Sequence, residues 1–520
     1  MAAAGDQGGA DDAERHLAGP LSAAVADLCV RLTPQVSART GAGFAEVRRR
    51  LAAPLQVAVA GRIKSGKSTL VNALIGRRVA PTDVGECTRL VTRFSYGTVD
   101  RVEVVLTDGS TQVLPFDAQG MIPADLGGTD LAKVSHLEAY LTNAVLRDLT
   151  VIDTPGLGSL DAASAARTAD LLSNSDSRLD PVSSDAVAGA EAVLYVVTQS
   201  VRADDQQALA AFVAATASRE AGPVNVIAVL NKADTVVPES VAGADGDVWR
   251  AAELLAQRQA ATLRPRVAGV LPVISLLAES TETGGFTSAD ADALRELATV
   301  DAADWATMSM SADLFTTWPG PVPTATRVRL LTTLDLYGVR CAVDALRAEP
   351  DLATGELRRR LFAGSGLAGV RGRLDAVFRA RADGIKAAAA LASITALAHV
   401  SGDAGERQRV HDAIEGLLGR PEAHHLRLLE ALTLVSSGAV DMPDDLADEV
   451  LRVGGATEVA QQLGLPGRPR RDLAAYALER AGWWRSFASF GATPAQSRVA
   501  HVVHRAYFLL WQQLRDAGVA

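Results

Sequence analysis

Nine residues, Gly61-Arg62-Ile63-Lys64-Ser65-Gly66-Lys67-Ser68-Thr69, constrain the fold of this chain more than any other stretch. They read G-x-x-x-x-G-K-S, a P-loop, which needs a strand before it and a helix after it. The flanks comply. Leu55 to Ala60 is an apolar run suited to a buried strand, and Leu70-Val71-Asn72-Ala73-Leu74-Ile75 suits the first turns of a helix. Glycines let backbone N–H groups approach phosphate oxygens, and a helix N-terminus adds partial positive charge. The candidate nucleotide-binding residues here are Gly61, Ile63, Lys64, Ser65, Gly66, Lys67, Ser68 and Thr69. Lys67 can reach the β- and γ-phosphates, and the Ser68 hydroxyl can ligate Mg²⁺.

Later motifs select the nucleotide. Asn231-Lys232-Ala233-Asp234 ends a second apolar run, Val224 to Leu230. The Asp234 carboxylate can accept two hydrogen bonds, from guanine N1–H and the 2-amino group. Adenine offers no such pair and leaves the carboxylate unpaired. Asn231 can tie this loop to the P-loop, and the Lys232 stem can lie over the purine. Ser275, after Val270-Leu271-Pro272-Val273-Ile274, is the candidate for a further guanine-side loop. Between these motifs lies Val151-Ile152-Asp153-Thr154-Pro155-Gly156. Asp153 can hold Mg²⁺ through water, and the Gly156 N–H can meet the γ-phosphate of GTP. Such contacts order a loop that hydrolysis to GDP releases. Thr88, within Pro81 to Arg89, is the candidate to complete the Mg²⁺ shell and orient water. An ordinary loop threonine is its alternative.

Lysine usage sharpens the reading. Lys64, Lys67, Lys133, Lys232 and Lys386 are the five lysines, against 46 arginines. Three of the five sit in nucleotide motifs, where a compact ammonium is not replaceable by a planar guanidinium. Lys64 stands out, because the bare P-loop pattern does not require lysine there.

A length of 520 residues suggests two to four domains. A net charge of −10 argues against a dedicated nucleic-acid binder. Cys29, Cys87 and Cys341 are scattered, which suits a reducing compartment and no structural zinc. His501 and His504 share a helix face without a carboxylate or cysteine beside them. Met1 to Glu14 lacks the basic and apolar regions of a signal peptide. The uncharged window from Ala387 to Gly402 is too short and alanine-rich to span a bilayer, so any membrane contact is expected to be peripheral.

Residues 1–19 are expected to be disordered. Leu21, Val25, Leu28 and Leu32, then Phe44, Val47 and Leu51, follow helical spacing, which gives neck helices over 20–53. From 54 to 318, apolar runs alternate with helical stretches, as in an α/β domain with a mainly parallel sheet. Trp318-Pro319-Gly320-Pro321-Val322-Pro323 reads as a boundary. A hinge and neck helix follow over 319–363, a helical trunk over 364–492 and a last helix over 493–520. A continuous helix over 366–400 would be about 50 Å long. The two chain ends are expected to pair, since an N-terminal helix without a core must find one in the C-terminal bundle.

One segment suits lipid. Arg468, Arg470 and Arg471 precede Gly482-Trp483-Trp484-Arg485-Ser486-Phe487, whose glycines suggest a connection between helices. Trp483, Trp484 and Phe487 beside Arg485 suit an interface with anionic headgroups. The alternative is that both tryptophans anchor the bundle core, since large aromatics usually pack inside.

These motifs in this order resemble the bacterial dynamin-like GTPases, above all the actinobacterial isoniazid-inducible branch and its C-type members. The resemblance rests on Ala58 through Leu74, on Val79-Ala80-Pro81-Thr82-Asp83 to Thr88-Arg89-Leu90-Val91-Thr92, and on Asp153-Thr154-Pro155-Gly156. A weaker match covers Gly364-Ser365-Gly366-Leu367 through Arg381-Ala382-Asp383. It implies a GTPase domain with an elongated helical neck and trunk, and homodimerisation across the GTPase face. It implies fission, fusion or repair at the inner face of the cell membrane by a cytoplasmic protein, often with a paired dynamin-like paralogue. Many dynamins carry a small polar residue at the place of Lys64, where it helps position a charge-compensating K⁺ or Na⁺. The Lys64 ammonium can take that cation's place and give Lys64 a catalytic role beside Lys67, Ser68 and Thr88. No membrane-inserting hairpin is visible. Two other classes stay open, a ribosome- or RNA-associated GTPase and a slow switch or scaffold. The first wants a basic appendage, yet residues 325–520 carry 25 basic against 22 acidic residues.

Overall fold

A computed structural model describes residues 17–81, 90–154, 190, 192–201, 205–206, 209, 226–263, 267, 269–377, 382–420, 423–436, 440–456 and 458–516. Helices α1 (Pro20–Leu32) and α2 (Ala38–Ala52) lead into β1 (Leu55–Gly61), and α3 (Lys67–Ile75) follows the P-loop. The other strands are β2 (Thr92–Tyr96), β3 (Arg101–Leu106), β4 (Thr111–Leu114), β5 (Val134–Leu141), β6 (Leu149–Asp153), β7 (Ala192–Val197), β8 (Val226–Asn231) and β9 (Val270–Val273). Among them run α4 (Val248–Leu263) and, after β9, α5 (Ser275–Glu282). They form one nine-stranded sheet in the order β4-β3-β5-β2-β6-β1-β7-β8-β9. The five pairings of β1 with β6 and β7, β2 with β5, β7 with β8 and β8 with β9 are parallel. The sheet is therefore mainly parallel, with an antiparallel flank.

The period of two along each central strand sorts its side chains onto two faces. Val57 and Val59 meet Leu70, Val71 and Leu74 of α3 on one face. Ala58 and Ala60 join Val193, Tyr195, Ala228 and Leu230 on the other. Strands buried on both faces read as continuous apolar runs, which is why they were legible as strands.

The expected boundary at Trp318–Pro323 is corrected. Helices α6 (Ser288–Ala298), α7 (Ala302–Met308), α8 (Ala312–Thr317), α9 (Thr324–Ala348) and α10 (Thr354–Gly364) all contribute to the sheet's second face. Helix α9 alone buries Leu330, Leu334, Val339, Val343 and Leu346 there. At about 1.5–3 kcal/mol for each such side chain, this outweighs a linker-like composition. The chain then returns to the opposite face. The Ile274 N–H donates to Ser365 O at 2.8 Å, and α11 (Leu367–Val377) buries Leu367 and Val370 beside α3. Gly366 makes that return possible. Its φ is 77°, and a Cβ there would sit 2.5 Å from Pro272 O. Residues 319–377, assigned from sequence to hinge, neck and the start of the trunk, thus pack on the nucleotide-binding sheet.

The expected pairing of the two chain ends is also corrected. Helices α12 (Ala382–Val400) and α13 (Ala404–Leu418) supply the partners of α1 and α2. Asp383 accepts from Leu21 N at 2.9 Å and Ser22 N at 2.7 Å, capping α1. Glu406 accepts from Thr40 Oγ1 at 2.5 Å and Ser37 N at 3.0 Å, at the start of α2. Lys386, buried at 3% exposure, donates to Leu51 O at 3.2 Å and to Ala53 O at the end of α2.

A second bundle holds α14 (His424–Ser436), α15 (Asp444–Gly455), α16 (Val459–Gln462), α17 (Arg470–Phe490) and α18 (Pro494–Asp516). The C-terminal helix packs here, against α17. The aromatic segment is not a connection: α17 runs unbroken through Gly482. Glycine in a helix interior costs about 1 kcal/mol. Burial of Leu473, Ala477, Ala481, Trp484 and Ala488 on one face of α17 exceeds it. Trp484 is fully buried, and its Nε1–H donates to Glu449 Oε1 at 3.0 Å. The expectation that it meets lipid is therefore corrected. The indole needs both a core and an acceptor, and Glu449 supplies the latter while pairing with Arg480 and accepting from Tyr507 at 2.6 Å.

Candidate functional site

The P-loop is a strained turn held from behind. Gly66 caps α3 in the left-handed region at φ 90°, and a Cβ there would lie 2.2 Å from Asn231 Nδ2. Glycine is needed because the guanine-side loop presses on it. Asn231 Nδ2–H donates to Ser65 O at 2.7 Å, and Asn231 Oδ1 accepts from Ser275 N at 3.1 Å. One buried amide thus joins the P-loop, the N-K-x-D loop and the start of α5, as its position in the sequence suggested.

Lys67 is buried, and its ammonium donates to Arg62 O at 3.0 Å. Burial pulls its pKa below the ordinary lysine value, and Asp153 opposes that shift. Ser68 Oγ–H donates to Asp153 Oδ2 at 2.8 Å, because β6 ends beside β1 with Val59 opposite Asp153. Burial pushes Asp153 up to about 6, against the Ser68 hydrogen bond and the Lys67 charge. Among the described residues its Oδ1 has no hydrogen-bond partner, and neither do the buried Oγ atoms of Ser65 and Ser275. A buried carboxylate oxygen left open beside a serine hydroxyl is the chemistry of a hard cation shell, so Ser68 and Asp153 fit Mg²⁺.

Asp234 follows Lys232, which is left-handed at φ 58°. Burial pushes Asp234 up to about 6, and the nearby Asp335 carboxylate adds to the shift. Ile63 and Lys64 are exposed at the tip of the P-loop, Lys64 with φ 61°. Thr69 is half-buried in the first turn of α3. Thr88 and Gly156 lie outside the described residues.

Two supports were missed. Asn72, fully buried on α3, accepts from Val79 N at 3.0 Å and Ala80 N at 2.8 Å. It donates to Ala80 O at 3.0 Å and Glu279 Oε1 at 2.7 Å. It therefore fixes the backbone just before residues 82–89. A polar residue inside the apolar run Leu70–Ile75 was the available signal. Arg371 of α11 donates to Ala73 O at 2.9 Å, at the C-terminal end of α3, and to Glu282 Oε2 at 2.8 Å. A separation of 298 residues left no local signal for that contact.

The lipid candidates divide. Trp483 is 40% exposed, stacks on Phe487 at 5.4 Å and carries Arg480 over its ring. Phe490, not anticipated, is 92% exposed. Arg468, Arg470, Arg471 and Arg485 are exposed, and Arg470 Nε–H donates to Leu514 O at 2.7 Å.

Comparison with known proteins agrees with this geometry. Residues 57–233 match the model of the dynamin family. The isoniazid-induced protein IniC of Mycobacterium tuberculosis is 31% identical over 442 residues, covering 84% of this chain and 85% of its own. The isoniazid-induced protein IniA of the same organism is 32% identical over 145 residues, 25% of this chain and 22% of its own. A solved chain of an oligomerised bacterial dynamin pair aligns over 95% of this chain and 90% of its own, at 12% identity. Its TM-score of 0.32 is too low to equate the two arrangements. A P-loop with its guanine-side loop, a nine-stranded sheet, two helical bundles and similarity along most of IniC have one common origin: the chain belongs to the dynamin family, as a bacterial dynamin-like GTPase of the IniC type.

Proposed function

We propose that this GTPase binds anionic membrane lipid through its second helical bundle and uses GTP hydrolysis to remodel the membrane. The observation that carries the reading is an exposed aromatic stripe far in sequence from the nucleotide site. Trp483, Phe487 and Phe490 stand at i, i+4 and i+7 on α17, so they share one face. Residues 470–516 carry seven arginines against three acidic residues, in a chain of net charge −10. Rings that enter a headgroup layer beside guanidiniums that meet phosphates suit an anionic surface. No helix among the described residues is long and apolar enough to cross a membrane, so the contact is a surface one.

At the other end, Lys67 offers its ammonium to the β- and γ-phosphates, and the P-loop N–H groups cradle them. Ser68, Thr88 and, through water, Asp153 would hold Mg²⁺, which would supply positive charge beside the γ-phosphate oxygens. Thr88 and the Gly156 N–H orient the attacking water and sense the γ-phosphate. Asp234 holds the base, with Ser275 and Asn231 fixing its loop. Lys64 supplies the charge that a K⁺ or Na⁺ would otherwise supply. Self-association through the GTPase face, with a second copy or with a paired dynamin-like paralogue, places the work at the inner face of the cell membrane.

Co-sedimentation with phosphatidylglycerol vesicles tests the lipid contact. A Trp483→Ser/Phe490→Ser double variant removes the two most exposed rings and leaves Phe487, which packs on Trp484, in place. The expected result is at least fivefold weaker vesicle binding with an unchanged Tm. Intact binding removes this stripe from the reading.

A further inference from the structure

We propose that Gln199 is a positioning residue of the guanine site: its side chain fixes the turn that presents Asp234. This rests on the assignment of Asp234 to guanine. Strands β7 and β8 run parallel, with Val197 opposite Leu230. Their following loops leave the sheet side by side, at the carboxyl ends where ligands of parallel sheets bind. Gln199 stands two residues beyond β7, and Lys232 to Thr235 directly follow β8. Lys232, left-handed at φ 58°, opens a tight turn. Its carbonyl oxygen closes the turn, accepting from Thr235 N at 3.0 Å and from Thr235 Oγ1 at 2.7 Å. Asp234 lies inside that turn. From outside it, Gln199 Nε2–H donates to Thr235 Oγ1 at 2.8 Å and to Thr235 O. The Gln199 amide thus holds the residue that closes the turn around Asp234.

Gln199 is itself held from behind. Gln259 of α4, 4% exposed, donates through Nε2 to Thr198 O at 2.9 Å and to Gln199 O at 3.0 Å. Both partners are carbonyls and can only accept, so the amide nitrogen must face them. Among the described residues, Gln259 Oε1 is then left buried without a hydrogen-bond partner. That is unfavourable, and an apolar side chain beside Ala252, Ala256 and Leu263 on the same face of α4 would avoid it. A buried orphan acceptor asks for an explanation, and the need to fix the backbone at 198–199 supplies one. The outer contact differs. Gln199 and Thr235 are both exposed, so their bonds exchange with water and add little to stability. What they supply is direction. Guanine N1–H and the 2-amino group reach one carboxylate together only if it is already aimed at that edge. A turn fixed in its bound shape loses less freedom when the base arrives.

The test is a double-mutant cycle read by titration calorimetry with GDP at pH 7.5, where Asp234, with its pKa raised to about 6, is ionised. Gln199→Met keeps the reach of the side chain and removes the donor. Gln199→Glu turns the donor into an acceptor against Thr235 O. In each, GDP affinity should fall about 5-fold, the size of one or two exposed hydrogen bonds, and the Tm should hold. Added to Asp234→Asn, the same changes should alter GDP affinity less than about twofold, because the carboxylate they position is gone. A general loosening of the domain would weaken GDP equally in both backgrounds. Unchanged GDP affinity in both Gln199 variants, or equal losses with and without Asp234, overturns the proposal. Asp234→Asn alone is titrated in parallel with XDP. If it gains no xanthine binding, the base is read elsewhere, and the Gln199 proposal falls with that assignment.

Discussion

Asp234 and Asp153 both titrate near 6 because each is buried where a ligand, not solvent, should satisfy it. An acid whose folded pKa is raised above the unfolded value destabilises the folded protein when ionised. The folded state binds the proton more tightly, so stability falls as pH rises from about 4 to about 6. Without nucleotide, Asp234→Asn should therefore raise the Tm at pH 7.5, and the gain should shrink to about half near pH 5 and vanish only below about pH 4. Thermal melts across that range check it; a gain independent of pH contradicts it. Nucleotide binding runs in the opposite direction, since a protonated Asp234 cannot accept two hydrogen bonds. GDP affinity should fall as pH drops below about 6, roughly tenfold per unit for one required ionisation. Lys64 carries a separate expectation. Lys64→Ser should lower kcat about 10-fold or more with little change in GTP affinity, as removal of a charge felt mainly in the transition state does. Stopped-flow binding and steady-state turnover on one preparation separate the two, and an unchanged kcat contradicts the role. These residues were legible because the P-loop and N-K-x-D spacings are dictated by phosphate and guanine geometry. Asn72 and Arg371 were not, because each matters through a partner distant in sequence.

At the scale of elements, polar contacts between distant helices decide how the chain closes. Asp383, Lys386 and Glu406 of α12 and α13 meet the ends of α1 and α2 across more than 300 residues. Lys386 is the one to remove. Its ammonium sits on converging carbonyls at the end of α2, one residue before Pro54 and β1. Lys386→Ala should cost about 1–3 kcal/mol, the penalty for leaving buried acceptors unmade. Lys386→Arg should not fully restore it, because a planar guanidinium does not fit a site shaped for an ammonium. Chemical denaturation of the three proteins measures this, and full stability in the arginine variant contradicts it. The rarity of lysine marked this residue, though not its role. Helix periods placed the last helix close to α18. They could not show that α9, α10 and α11 cover the sheet, because an apolar stripe states how much surface is buried and not against what. The run Leu473, Ala477, Ala481, Trp484, Ala488 was hidden for a related reason: alanines make a weak stripe, and Gly482 resembles a stop.

The whole molecule joins a nucleotide site on a nine-stranded sheet to two helical bundles. Its fold class followed from the alternation of strands and helices up to residue 318 and its loss beyond. The domain edges did not, since composition marks Trp318–Pro323 while packing carries the sheet's helices on to residue 377. Arg371 and Lys386 each tie a distant helix to an element that flanks β1. They hold the C-terminal ends of α3 and α2, on either side of β1. Membrane work by this arrangement makes one direct demand, that the shape of a lipid vesicle change when GTP turns over. Electron microscopy of phosphatidylglycerol vesicles with the protein, with GTP, with GDP and without nucleotide, measures it. Vesicles should be tubulated, severed or merged with GTP alone among the three. Vesicles that keep their size and shape while the same sample hydrolyses GTP would contradict membrane remodelling and leave a GTPase that acts by switching.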